Sequence, residues 1–186
     1  ADTHDVLMRL HLDNSRPADA LAAAKRAADL TPGSVDRLQR SGMMAYYQGD
    51  FKEAARALDR ATLLGLTSKL YDPQALMLLT FTRLQLRDAQ GIKRCTEQIQ
   101  KLIERQEAPP RLARFKRMAA TLLLLANKQL AAVVIDIKRH AEEIQSPGFD
   151  VEAACNFLTL ISEIARSELA LEMPAGVARL VPFVVP

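Results

Sequence analysis

The chain of 186 residues has no tryptophan, and aromatic side chains make up only 5% of it. A core built from it must rest on alanine, leucine, isoleucine and methionine, which are good helix formers. Only two cysteines occur, Cys95 and Cys155, without a CxxC pair or a histidine-rich neighbourhood. That argues against a disulfide framework or a zinc site and favours a reducing compartment, the cytoplasm, although a mature periplasmic protein could look the same. Charge of one sign is also scarce. With 25 Lys+Arg against 22 Asp+Glu, the net charge of +3 is too slight to imply a nucleic-acid binder. The longest apolar run, 118 to 126, is far short of the roughly 18 residues that span a bilayer, so no membrane partner is expected. The opening Ala1-Asp2-Thr3-His4-Asp5 is neither a signal peptide nor a natural start, which suggests a fragment or a processed form.

Catalytic signatures are missing as well. The seven glycines serve mostly as turns or packing contacts, which leaves little material for a phosphate-cradling loop. No HExxH, nucleophile elbow or kinase signature occurs, and His4 and His11 are too far apart for i, i+4 chelation. His140 reads as a surface histidine. Glu142 and Glu143 point to different sides of their helix and make no acid/base pair. The expectation is no catalytic residue, no metal and no cofactor.

What the chain does contain is a repeat. Shifted by 34 positions, Ala20 falls on Ala54, Ala23 on Ala57, Arg26 on Arg60, Ala27 on Ala61 and Leu30 on Leu64. Asn14-Ser15-Arg16-Pro17 falls on the turn Gln48-Gly49-Asp50-Phe51. Gly42 inside a helical pattern costs about 1 kcal/mol relative to alanine, so it signals close packing between helices rather than helix preference.

These residues resemble tetratricopeptide repeats. In the first copy Leu7, Ala20, Ala27 and Pro32 hold pattern positions, with Met8 at the small site and His4 and His11 in place of aromatics. In the second, Leu38 replaces the usual Trp, Gly42 is the small residue, and Ala54, Leu58 and Ala61 complete the pattern. Ser41 and Leu66 depart from it. The resemblance covers about residues 1 to 68 and is degenerate beyond.

Further along, the helical stripes continue without a strict period. Pro73 opens a helix lined by Leu76, Leu79, Thr80 and Leu84, and Arg87-Asp88-Ala89 marks a turn. Ile92, Cys95, Ile99, Leu102 and Ile103 line the next helix, and Pro109-Pro110 interrupts the chain. Leu112, Phe115, Ala119, Leu122 and Leu123 form another stripe, faced by Val133, Ile137 and Ala141 on a helix from about 129 to 144. Ser146-Pro147-Gly148 breaks it. Asp150 then caps a closing helix, about 150 to 172, with Ala154, Phe157, Leu158, Ile161, Ile164, Ala165 and Leu169 inward. Residues 174 to 186 form an apolar, proline-broken tail that needs a docking surface on its own domain or on another chain.

The expected fold is all-α: a right-handed superhelix of antiparallel helix hairpins, about nine helices over residues 1 to 173, with a non-helical tail. The repeats are about 1–34 and 35–68, followed by degenerate pairs at about 69–108 and 109–146. The resemblance implies a concave groove lined by Asp36, Gln39, Met43, Tyr46 and Tyr47, with Asp2, Asp5, Arg9, Leu12 and Asp13 in the first copy. One tyrosine of the adjacent pair is expected in the core. Met77, Phe81 and Leu84 extend the line or are interior. Some members of the family grip a C-terminal carboxylate with basic groove residues; Asp5 and Gln39 stand where those would be wanted. Arg111, Arg114 and Arg117, with Lys116, form a basic cluster that is either a solvated face or a site for an acidic peptide or phosphate.

The partner expected is therefore a protein or peptide in the groove, bound through Gln39, Met43, Tyr46, Tyr47, Met77 and Phe81 with Arg114 and Arg117 as polar anchors. Short strings, Gly33-Ser34-Val35-Asp36-Arg37-Leu38 and Pro147-Gly148-Phe149-Asp150 before Glu152-Ala153-Ala154-Cys155-Asn156, are similar to the repeat portions of some bacterial response regulators. That implies a docking or output module of a two-component protein, with its phospho-acceptor elsewhere. Two other classes remain open: an assembly subunit that homodimerises through the tail, and a ligand-binding domain whose second half encloses a pocket.

Overall fold

The computed structural model describes residues 1–68, 73–104, 111–144 and 151–166. The protein is all-helical: these residues form nine helices and no strand. The helices are α1 (Asp2–Asp13), α2 (Pro17–Leu30), α3 (Val35–Tyr47), α4 (Phe51–Ser68) and α5 (Pro73–Gln85). They continue with α6 (Ala89–Glu104), α7 (Arg111–Ala126), α8 (Leu130–Ile144) and α9 (Val151–Arg166). Among the described residues no helix is long and apolar enough to cross a membrane. Pro109-Pro110, the 146–148 break, the Asp150 cap, the end of the closing helix and the apolar tail all lie outside the described residues.

Local chemistry sets the helix starts. Pro17 and Pro73 occupy first-turn positions, where the missing N–H costs nothing. Ser34 caps α3 by accepting from the Arg37 N–H, Asp50 caps α4 through the Glu53 N–H at 3.2 Å, and Asp88 caps α6 through the Gly91 N–H at 2.8 Å. Four of the described helix ends share one device. Ser15, Gly49, Arg87 and Lys128 each take a positive φ, between 55° and 78°, just past a helix. After α1, α3 and α7 the following N–H turns back across the last turn: Arg16 to the His11 carbonyl, Asp50 to Ala45 and Gln129 to Leu124, at 2.8–2.9 Å.

Two compact units divide the chain, Ala1–Leu86 and Arg87–Pro186. In the first, the 34-residue spacing seen in the sequence recurs in the helix bounds: α1 and α3 end 34 residues apart, and α2 and α4 start 34 apart. The paired helices α1–α2 and α3–α4 pack across three-residue turns, and α2 packs on α3 and α4 on α5. Small residues carry these contacts. Ala20, Ala27, Ala54 and Ala61 are at most 1% exposed. Met8 and Met44 close on Ala20, Ala23 and Ala24, while Leu38 packs with Ala28 and Ala61. Gly42 touches α4 so closely that an added Cβ would stand 2.6 Å from Leu58 Cγ.

α5 differs from the one-sided stripe expected of it. Ala75, Leu76, Met77, Leu79, Thr80, Phe81, Thr82 and Leu84 are all buried, which is the pattern of a helix covered around most of its circumference. Its buried Thr80 and Thr82 hydroxyls donate to the Leu76 and Leu78 carbonyls, so they carry no desolvation penalty there.

In the second unit α6 packs on α7, and α9 packs on both α7 and α8. Ile92, Cys95, Ile99 and Leu102 of α6 are buried, as are Leu112, Phe115, Ala119 and Leu122 of α7 and Val133 and Ile137 of α8. Leu158, expected inside, is 41% exposed, because α9 turns Phe157, Leu160, Ile161 and Ile164 inward at i, i+3, i+4 and i+7. Leu160, not Leu158, completes that stripe.

Candidate interaction surface

The candidate surface sits on α3, whose register follows from what the helix must bury. Leu38, Ser41, Gly42, Ala45 and Tyr46 face inward, leaving Asp36, Met43 and Tyr47 outward. Met43 is 41% and Tyr47 68% exposed, one helical turn apart. Tyr46 is 2% exposed and acts as the support. Its ring lies 5.7 Å from that of Tyr47 at 76° and 5.7 Å from that of Phe51 at 62°, both edge-on. Gln39 is half-buried and lines a cleft of about 490 Å³ between the start of α3 and the end of α4, with Asp36, Leu64, Thr67 and Ser68.

Polar groups around that cleft are largely committed. The Thr67 and Ser68 hydroxyls donate to carbonyls of their own helix, and Asp36 pairs with Arg40. Converging polar groups of the kind a small ligand needs are thus used locally.

Of the remaining expected residues, Met77 and Phe81 are buried at 3% and 6%, so they offer a partner no surface. Arg114 and Arg117 belong to α7 in the second unit, where Arg114 is half-buried and Arg117 exposed. In the first copy Arg9, Leu12 and Asp13 are exposed, but Asp5 is committed elsewhere. Its carboxylate takes the Arg37 guanidinium at 2.8–2.9 Å and Arg40 at 3.5 Å, and Arg37 also reaches Asp2 and the Thr31 hydroxyl. The hydrogen bond to Asp5, followed by that to Asp2, holds Arg37 above its ordinary pKa against the opposing effect of burial. This α1–α3 clamp was not anticipated from the residues one by one. Its signal is opposite charge about one repeat-length apart: Asp2 and Asp5 against Arg37 and Arg40.

His140, expected on the surface, is half-buried: its ring stacks on Phe157 at 6.1 Å and its Nε2 lies 3.9 Å from Asp136. Asp136 in turn accepts from the Thr121 hydroxyl of α7. Among the described residues, no group of three or more His, Cys, Asp or Glu could hold a metal ion. No protein-family model matches the chain, and no curated protein matches it.

Proposed function

We propose that this chain is a non-catalytic protein–protein interaction module of the tetratricopeptide kind, which holds a helix or extended peptide of a partner against the outward face of α3. The observation that carries this reading is the pair Met43 and Tyr47, exposed one turn apart, with Tyr47 held edge-on by the buried Tyr46. A rigid tyrosine offers a large apolar face and one polar tip at low entropic cost, which is the usual make-up of a binding anchor. Helical stacks of this kind present such surfaces pre-formed and need no cofactor. The strings similar to response-regulator repeat portions make a two-component signalling protein the setting we favour.

The test is affinity capture with the whole chain as bait, repeated with Met43→Asp and Tyr47→Ala. Both positions are exposed, so both variants should fold, and both should lose the same captured protein. A captured set unchanged by either substitution would overturn the assignment of this face.

A further inference from the structure

The outward face of α3 continues onto α1, because of the way the two helices lie together. Asp5 meets Arg37 and Arg40, and Met8 clusters with Met44, so residue numbers rise together and α1 and α3 run parallel. Asp5, Met8 and Leu12 form one stripe of α1 at i, i+3 and i+7. Arg37, Arg40, Met44 and Tyr47 form the matching stripe of α3. The seam changes character along its length. Its first layer is the ionic clamp, and its second is Met8 with Met44, at 6% and 8% exposure. By the same register the third layer is Leu12 opposite Tyr47, at 42% and 68%. That layer is apolar like the second, yet it is open. Charge around the opening is uneven. Arg37 and Arg40 are held by Asp2, Asp5 and Asp36. Arg9, exposed one turn before Leu12, has no carboxylate partner among the described residues. It stands about 60° from Leu12 around α1, whereas the exposed Asp13 stands about 100° away, so the cation is nearer the seam.

We propose, resting on the α3-face reading above, that Leu12 and Arg9 form the other wall of the same docking site. Its occupant is a partner segment with an apolar side chain seated between Leu12 and Tyr47 and a carboxylate on Arg9. The apolar side chain completes the third layer as Met8 and Met44 complete the second. The carboxylate supplies Arg9 with the neighbour that Asp5 supplies to Arg37, while a partner with lysine or arginine there meets like charge. Arg9 precedes Leu12 by about 4.5 Å along α1. The acidic residue therefore lies about one or two positions from the apolar anchor in an extended segment, or about three or four in a helix.

The experiment selects phage-displayed random dodecapeptides on the immobilised whole chain and repeats the selection on Arg9→Glu, Leu12→Asp and Tyr47→Ala. All three positions are exposed, and circular dichroism of each variant verifies its fold. The unchanged chain should enrich peptides that pair an aromatic or aliphatic residue with Asp or Glu at the spacing above. Arg9→Glu should select Lys or Arg in place of the acid, and should weaken binding of the original peptide, made synthetically, by about tenfold or more. Leu12→Asp and Tyr47→Ala should each lose the enrichment. Enrichment that needs Tyr47 but is indifferent to Arg9 and Leu12 would overturn the inference and leave the α3 reading standing. Absence of any Tyr47-dependent enrichment would overturn both. Sedimentation of the chain alone covers the remaining occupant: a dimer that Leu12→Asp dissociates would put a second copy in the opening and refute the peptide partner.

Discussion

Replacing Gly42 by alanine tests the packing on which the first unit depends, because two effects of known sign oppose each other there. Alanine favours the helix by about 1 kcal/mol over glycine. The new Cβ, however, would lie 2.6 Å from Cγ and 2.9 Å from Cδ2 of Leu58, and 3.3 Å from its backbone nitrogen. Leu58 is fully buried, and the nearest atom is the branch point of its side chain rather than a flexible tip. Overpacking of this kind costs about 1–3 kcal/mol, so the net effect of Gly42→Ala is a loss of about 1 kcal/mol. For a chain of this size that lowers Tm by about 2–4 °C. Leu58→Ala alone should cost about 2–5 kcal/mol, but it empties the space, and in that background Gly42→Ala should stabilise by up to about 1 kcal/mol. The reversal of sign is the signature, a coupling of about 1–3 kcal/mol between two touching residues. Tyr46 is buried on α3 and packs edge-on against Tyr47 and Phe51, so urea unfolding followed by tyrosine near-ultraviolet dichroism reports on the packing around α3. A Gly42→Ala effect that is equal in both backgrounds, or stabilising in the wild type, would refute the reasoning.

Three further outcomes follow from the same structure. Ser15 holds a φ of 55°, a conformation that costs a non-glycine residue about 1 kcal/mol, so Ser15→Gly should raise the unfolding free energy by an amount of that order, read as an upward shift of the urea midpoint at unchanged slope. Burial works to raise the Asp50 pKa, but the Glu53 N–H and the Lys25 ammonium outweigh it and hold the carboxyl below its ordinary value. A depressed carboxyl stabilises the fold above the unfolded pKa of about 4 and loses that contribution as pH falls through the folded value. Asp50→Asn, which keeps a cap acceptor, should therefore show a shallower loss of urea stability between pH 7 and pH 3, by well under about 1 kcal/mol because the pair is exposed. Finally, Tyr47→Ala should leave stability within about 0.5 kcal/mol, whereas Tyr46→Ala should cost about 3–5 kcal/mol, and thermal melts of the two variants separate the surface role from the core role.

The architecture was legible where one local signal determined the outcome. Repeating alanines and Gly42 marked the close contacts of the first unit, and Gly49 marked a turn that needs positive φ. Arg87 and Lys128 reach the same conformation without glycine, and their neighbours Asp88 and Asn127 were the only cue. The site was harder to read. Tyr46 and Tyr47 are adjacent, about 100° apart around the helix, and composition does not say which one faces the core. Met77 and Phe81 lie on a helix apolar on nearly every side, so no stripe separates lining from interior. The Asp5–Arg37 clamp joins residues 32 positions apart, and it becomes visible only once α1 and α3 are known to lie together. Likewise Leu158 and Leu160 are indistinguishable by composition, and only the register set by Phe157 and Ile164 decides between them.

The most direct measurement is a nuclear Overhauser experiment on the intact chain with labelled leucine methyls and glycine α-protons. Hairpins nested through small residues require a strong cross-peak between the Gly42 α-protons and the Leu58 methyl groups, with Tyr47 ring protons reachable by a soluble relaxation agent and those of Tyr46 shielded. Absence of that cross-peak, or equal relaxation of both tyrosine rings, would contradict the account.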